Sequence, residues 1–377
     1  MTSVGDSERF ARLRTALAGT ATDVLFARAP GRVNLIGDHT DYQDGLCLPI
    51  AIDRDVLVGF RPRTDGHVRV RSLDLNVEID FATPVAAGIT VDAWARPLVA
   101  TIALLAPRFD GTFPGFDAAI TSTVPIGGGL SSSAAFDVAL TIVTATIGGS
   151  DMSPLAVALA AQEIEHRASG VPCGLMDQLA SVGGQAGHAL LLDCRTFEIT
   201  PIAIPRDVGV LVVHSGLERA LANSAYAARR AACEAAAARL GLATLRDATL
   251  DQVRDDPLAR HVVSENARVV SFARALEADD LARAGNLMVE SHASLRDDFA
   301  VSTPELDRLV ELALEAGADG ARLTGAGFGG CVVILAATGE LDRIAASVGE
   351  RYGAETGRVP TAFAVRAVGG AGLVRDA

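Results

Sequence analysis

Apolar residues in this chain fall into short, bounded runs in the first two hundred positions and into longer alanine-rich stretches after Ser215. The short runs at 24–29, 56–61, 116–124, 189–193 and 208–213 have the length and bounding residues of buried strands. The third runs straight into Gly127-Gly128-Gly129. From Ser131 to about Ile147 the chain is small, apolar and free of proline, which predicts a helix. Ser153 followed by Pro154 predicts a capped start for a second helix reaching about Arg167. After Ser215, a helix is predicted over 218–240, and Thr303-Pro304-Glu305 opens another ending near Gly317. A strand, a glycine-rich loop, a strand over 331–336, a helix over 340–352 and a last strand over 361–368 complete the pattern. The change of texture near 195–215 divides the 377 residues into two expected domains, 1–205 and 206–377.

Composition narrows the classes of function. At 21% charged and 49% hydrophobic residues the chain is an ordered globular protein. A net charge of -13 argues against nucleic acid or an acidic membrane as partner, since both need clustered cations. There is no lysine, so every fixed side-chain cation is an arginine. The first nine residues do not read as a secretory signal, and no apolar run is long enough to span a bilayer. Cys47, Cys173, Cys194, Cys233 and Cys331 form no CxxC pair, which points to reduced thiols in a cytoplasmic protein.

Three glycine-rich stretches carry the chemistry. Gly127, Gly128, Gly129, Leu130, Ser131, Ser132 and Ser133 follow a strand and open a helix. Glycines there admit positive φ, and the free N–H groups of a helix start favour a phosphate. The segment is neither a Walker loop nor a dinucleotide fingerprint. Taken alone it also reads as a flexible turn with a serine N-cap. The stretch Gly31-Arg32-Val33-Asn34-Leu35-Ile36-Gly37-Asp38-His39-Thr40-Asp41-Tyr42 gathers short carboxylates, a histidine and an arginine, groups suited to adjacent sugar hydroxyls. Asp38, His39 and Asp41 are also conceivable metal ligands. Asp177, just after Cys173-Gly174, is a candidate general base or the cap of a short helix. The third stretch is Leu323-Thr324-Gly325-Ala326-Gly327-Phe328-Gly329-Gly330.

In order and spacing these stretches resemble the three motifs of the GHMP small-molecule kinases, and the first is similar to the galactokinase branch. Cys173-Gly174-Leu175-Met176-Asp177-Gln178, Leu191-Leu192-Asp193-Cys194-Arg195 and Ser224-Ala225-Tyr226 extend the match from about residue 27 to 335. The resemblance implies an α+β, two-domain GHMP kinase fold with the active site in the cleft between an N-terminal domain and a ferredoxin-like C-terminal domain. It implies ATP-dependent phosphorylation of galactose at its anomeric hydroxyl. By that resemblance Asp177 takes the hydroxyl proton, with Arg32 beside it to stabilise charge. Asp38, His39, Asp41, the Gly174 backbone and the Tyr226 hydroxyl contact the sugar. The Gly127–Ser133 loop binds ATP, and Ser133 with Glu165 holds Mg2+, although Glu165 alone reads as a solvated helix-face residue. Gly325, Gly327 and Gly329 are expected to line the far wall, and a monomer or weak homo-oligomer is expected.

Several positions depart from the branch. Asp38 stands where Glu is usual, His214-Ser215-Gly216 replaces an Asn-richer stretch, and Ala326 replaces Gly. Trp94 lacks the tyrosine that normally follows it. These differences bear on the sugar rather than on the reaction. They keep in view another sugar 1-kinase (for N-acetylgalactosamine, a uronic acid or a pentose) and a sugar sensor. The presence of Arg32, Asp177, Ser133 and Glu165 favours an enzyme.

Overall fold

The computed structural model describes residues 4–17, 24–109, 111–125, 127–217 and 222–375. A six-stranded sheet organises the first half, in the order Gly372–Val374, Leu25–Asn34, Pro49–Pro62, Gly115–Ser122, His67–Ser72 and Val77–Ala82. All its pairs are antiparallel except His67–Ser72 with Gly115–Ser122. Alternate residues leave opposite faces of a strand, and both faces here are covered. Ala27, Val58 and Ala118 meet Leu98 and Ile102 of helix Arg96–Leu105 and Val138 of helix Ser132–Ile147. Their neighbours Phe26, Leu57 and Ala119 meet Phe10 and Leu13 of helix Val4–Ala16. That two-sided burial explains why the central strands read as continuous apolar runs rather than alternations.

The second half is built on an antiparallel sheet in the order Gly320–Thr324, Cys331–Ala337, Val208–His214, Thr361–Val365. One face, with Leu211, Val213, Leu323 and Ile334, packs on helices Pro304–Glu315 and Leu341–Thr356. The other face, with Val210, Val212, Val333 and Leu335, packs on Val33, Leu35, Ile50 and Ile52 and on Phe272 and Leu276 of helix Pro257–Glu277. One core therefore runs beneath both sheets and carries the sugar-type motif between them. A small sheet of Leu46–Cys47, His188–Asp193 and Glu198–Ala203 closes one side. The chain then returns, and Gly372–Val374 pairs with Leu25–Asn34.

The predicted Ser153 cap is made, its Oγ accepting from the Ala156 amide, and Thr303, at the predicted start of a later helix, caps it in the same way through Oγ1 and the Leu306 amide. The helix predicted over 218–240 is Ala222–Arg239, and residues 218–221 lie outside the described residues. The last predicted strand stops at Val365. Helices Arg96–Leu105, Pro257–Glu277 and Leu281–Asp297 are additions to the sequence reading. Among the described residues no helix is long and apolar enough to cross a membrane.

Candidate active site

Strand Leu25–Asn34 slips register against its neighbour between Pro30 and Arg32. Such a bulge re-aims the next side chain. Gly31 sits at the slip because a Cβ there would lie 2.7 Å from the Leu130 carbonyl oxygen. The strand can therefore lie directly against the glycine loop. The Arg32 amide donates to the Leu130 carbonyl at 3.1 Å, and its Nη1 donates to the Gly129 carbonyl at 2.8 Å. Arg32 is 5% exposed. Its Nε and Nη2 both reach Asp177 Oδ1, each at 2.7 Å. The Ser131 hydroxyl donates to Asp177 Oδ2. Burial works against the Arg32 charge, but Asp177, Asp38 and Asp41 outweigh it and raise the Arg32 pKa.

Those contacts settle two local alternatives. Ser131 does not cap helix Ser132–Ile147, because its hydroxyl is given to Asp177 and its backbone is left-handed, at φ 59°. No side chain caps the helix start, which leaves its first N–H groups without a side-chain acceptor. Asp177 is likewise not a cap; it lies in the first turn of helix Met176–Gly183, whose cap position is Leu175. Within the loop, Gly127, Gly129, Ser131, Ser132 and Ser133 line a cleft of about 390 Å³. Gly128 and Leu130 turn inward. The Gly128 carbonyl accepts from Cys331 Sγ at 2.8 Å, and Leu130 is fully buried.

Ser133 donates to Glu165 Oε1 at 2.7 Å, and Gln178 Nε2 donates to Oε2 at 2.6 Å. Glu165 is thus held in place rather than solvated. Burial, then the charge of Asp177, pushes its pKa up. A hydroxyl and a carboxylate fixed side by side suit Mg2+, which takes few protein oxygens and keeps water and phosphate oxygens as its other ligands.

Asp38, His39, Asp41, Gly174 and Tyr226 border the same cleft as Arg32 and Asp177. His39 has left-handed backbone, at φ 66°. Its Nε2 faces the Ala326 carbonyl at 3.2 Å, an acceptor only, so Nε2 carries the proton. Its Nδ1 then accepts from the Tyr42 hydroxyl at 2.9 Å. Burial, with His261 nearby, lowers the His39 pKa to about 3, so the ring is neutral near pH 7. Tyr226, on helix Ala222–Arg239, brings its ring within 5.6 Å of His39 and 5.5 Å of Tyr42.

Asp41 owes its place to Gly174. A Cβ on residue 174 would fall 1.8 Å from Asp41 Oδ2. Burial, and then the charges of Asp177 and Asp38, raise the Asp41 pKa to about 7. Burial raises the Asp38 pKa as well, against the pull of Arg322 and Arg32, but the partners of Asp38 differ. Its Oδ2 is 2.6 Å from Arg322 Nη2, and its Oδ1 accepts from the Gly325 amide at 3.0 Å. Asp38 and His39 have their polar atoms committed within the protein, which counts against a metal centre on Asp38, His39 and Asp41. Of the third stretch, Gly325 and Ala326 reach the cleft, whereas Gly327 packs on Val301, whose carbonyl oxygen would be 2.4 Å from a Cβ. Trp94 packs in the helical face of the first sheet. Arg322, fully buried in strand Gly320–Thr324, escaped the sequence reading; its signal was an arginine between Ala321 and Leu323.

Three family models match the chain: the galactokinase galactose-binding signature over residues 15–62, the GHMP kinase N-terminal domain over 97–185 and the GHMP kinase C-terminal domain over 272–354. Galactokinase of Roseiflexus sp. (strain RS-1) is 45% identical over 368 residues, 93% of each chain. Galactokinase of Chloroflexus aurantiacus is 45% identical over 347 residues, 88% of this chain and 89% of the relative. Among solved structures, Lactococcus lactis galactokinase complexed with galactose superposes with a TM-score of 0.88 at 30% identity, covering 97% of this chain and 98% of its own. Methanococcus jannaschii mevalonate kinase, at 18% identity and a TM-score of 0.69 over 93% of this chain and 100% of its own, shares the fold. With both GHMP domains, the galactose-binding signature and near-full-length relatives at this identity, the chain belongs to the galactokinase family of the GHMP kinases.

Proposed function

We propose that this protein transfers the γ-phosphoryl group of ATP to the anomeric hydroxyl of galactose, giving α-galactose 1-phosphate and ADP. The observation that carries the reading is the Arg32–Asp177–Ser131 constellation at the mouth of the glycine loop, in one cleft with His39, Asp41 and Tyr226. A sugar hydroxyl is a weak nucleophile, so the enzyme must align it and neutralise charge on the transferring group. Asp177 accepts the anomeric proton as the oxygen bonds to the γ-phosphorus and the bond to the ADP oxygen breaks. Arg32, charged and directed by its bonds to Asp177 and Gly129, stabilises charge between base and phosphoryl group.

Asp41 and Tyr226 orient the ring, with Asp41 as the carboxylate acceptor for sugar hydroxyls, while the His39 ring, its nitrogens held by Tyr42 and Ala326, lines the cleft beside them. The Gly127–Ser133 loop, with its uncapped helix start, receives the nucleotide phosphates. Ser133 and Glu165 would hold Mg2+, which supplies charge neutralisation on the phosphates when bound.

The test is ATP consumption by purified protein with Mg2+ across galactose, glucose, 2-deoxygalactose, N-acetylgalactosamine, galacturonate and arabinose. Galactose-dependent turnover with glucose inert is the expected result. Turnover with another member of the panel only would move the substrate. No turnover with any sugar, from folded protein that binds ATP, would overturn the reading.

A further inference from the structure

We propose that Arg322 is a positioning residue for the sugar site: paired with Asp38, it latches the 34–39 segment to the 322–326 segment and so fixes where His39 and Asp41 meet the substrate. The inference rests on the galactose 1-kinase reading and adds to it a residue that contacts no reacting atom. Arg322 is fully buried, and Asp38 is 1% exposed. The guanidinium meets Asp38 Oδ2 at 2.6 Å through Nη2 and the Leu35 carbonyl at 3.2 Å through Nη1. Beside it, Thr324 Oγ1 donates to the Asn34 carbonyl at 2.9 Å and the Gly325 amide to Asp38 Oδ1 at 3.0 Å. His39 Nε2 completes the seam on the Ala326 carbonyl. From below, Glu265 Oε1 accepts the Gly37 amide at 3.1 Å, and His261 Nε2 holds the Asp38 carbonyl at 3.1 Å.

Both Asp38 oxygens therefore serve the joint between two segments that meet only in the folded chain. A buried ion pair adds little net stability compared with a well-packed apolar pair, but losing one partner strands a charge. Its use here is geometric. The pair holds the turn in which Gly37 and His39 are left-handed, the turn that presents the His39 ring and begins the approach to Asp41.

Arg322→Met, Asp38→Asn, the double variant and Arg322→Lys separate this role from mere support. The readouts are KM for galactose, KM for ATP, calorimetric galactose binding without ATP, and melting temperature. Arg322→Met is expected to raise the galactose KM at least tenfold and weaken galactose binding equally, with the ATP KM within twofold of the parent. Adding Asp38→Asn to Arg322→Met removes the stranded charge and should return part of that loss. If Arg322→Met does not fold, Arg322→Lys, which keeps the charge but not the fork, carries the same comparison. Equal rises in both KM values, or single losses that multiply in the double variant, would overturn the latch. A wild-type protein inert toward every sugar overturns the activity reading instead. The latch is then judged by heat: a double variant melting above Arg322→Met supports it, and additive lowering refutes it.

Discussion

Gly174→Ala isolates how the site places its acceptor carboxylate. Gly174 is not among the glycines with positive φ, so alanine is allowed by the backbone and the effect is steric alone. The new Cβ would stand 1.8 Å from Asp41 Oδ2, 2.4 Å from its Cγ and 3.0 Å from its Cβ. To restore van der Waals separation the carboxylate must retreat by roughly 1.5 Å. A displacement of about 1 Å in a positioning group costs on the order of 10²-fold in rate, so kcat/KM for galactose should fall about 10²-fold, or ~2.7 kcal/mol of transition-state binding. The assay is steady-state kinetics with each substrate varied in turn. The ATP KM should hold, because the three atoms nearest the new Cβ all belong to Asp41 and none to the glycine loop. In an Asp41→Ala background the same alanine has little left to displace, so the two losses should not multiply. A Gly174→Ala enzyme with galactose kcat/KM within twofold of the parent would refute the argument that Gly174 exists to seat Asp41.

Other outcomes follow from the same geometry. Asp177→Asn keeps an oxygen for Arg32 but loses the base; turnover should drop about 10²–10⁴-fold while ATP binding persists, as read by single-turnover kinetics and calorimetry. Asp41 has its folded pKa raised to about 7, well above that of an unfolded carboxyl. The folded state therefore holds that proton longer, and stability falls as pH rises from about 4 to about 7, then levels. Asp41→Asn should flatten that decline and melt higher than the parent at pH 8 while binding galactose more weakly; a parallel pH–melting profile for the two proteins would contradict this. Glu165→Gln should weaken Mn2+ binding, followed by electron paramagnetic resonance in the presence of ATP, about 10–100-fold, and unchanged affinity would remove Glu165 from the cation site.

Much of the site was legible because its groups lie within compact motifs. Arg32, Asp38, His39 and Asp41 sit within ten residues of one another, and the strand–glycines–helix order around Gly127–Ser133 signals an anion site without any tertiary information. Roles that depend on partners were not legible. Ser131 read as a cap, and only the approach of Asp177, 46 residues away, takes its hydroxyl. Glu165 read as a surface residue until Ser133 and Gln178 closed on it. Arg322 carried no motif that separates a buried cation from a misplaced one. Helices Pro257–Glu277 and Leu281–Asp297 went unread; His261, Glu265, Ser291 and His292 are polar residues on their buried faces and blur the apolar stripe that would reveal them.

By itself, then, the sequence determined the local physics: which runs are strands, where Ser153 and Thr303 start helices, and which segments carry glycine, carboxylate and cation together. It also determined the family, since those motifs recur in order along most of the chain. The tertiary structure alone decided which of those groups meet. The bulge at Gly31 turns Arg32 onto Asp177, the bare Gly174 admits Asp41, and the buried Arg322 claims Asp38. The reason is physical: capping and strand burial depend on neighbours a few residues apart, whereas the state of a buried charge depends on the charges and dipoles that folding brings within a few ångströms.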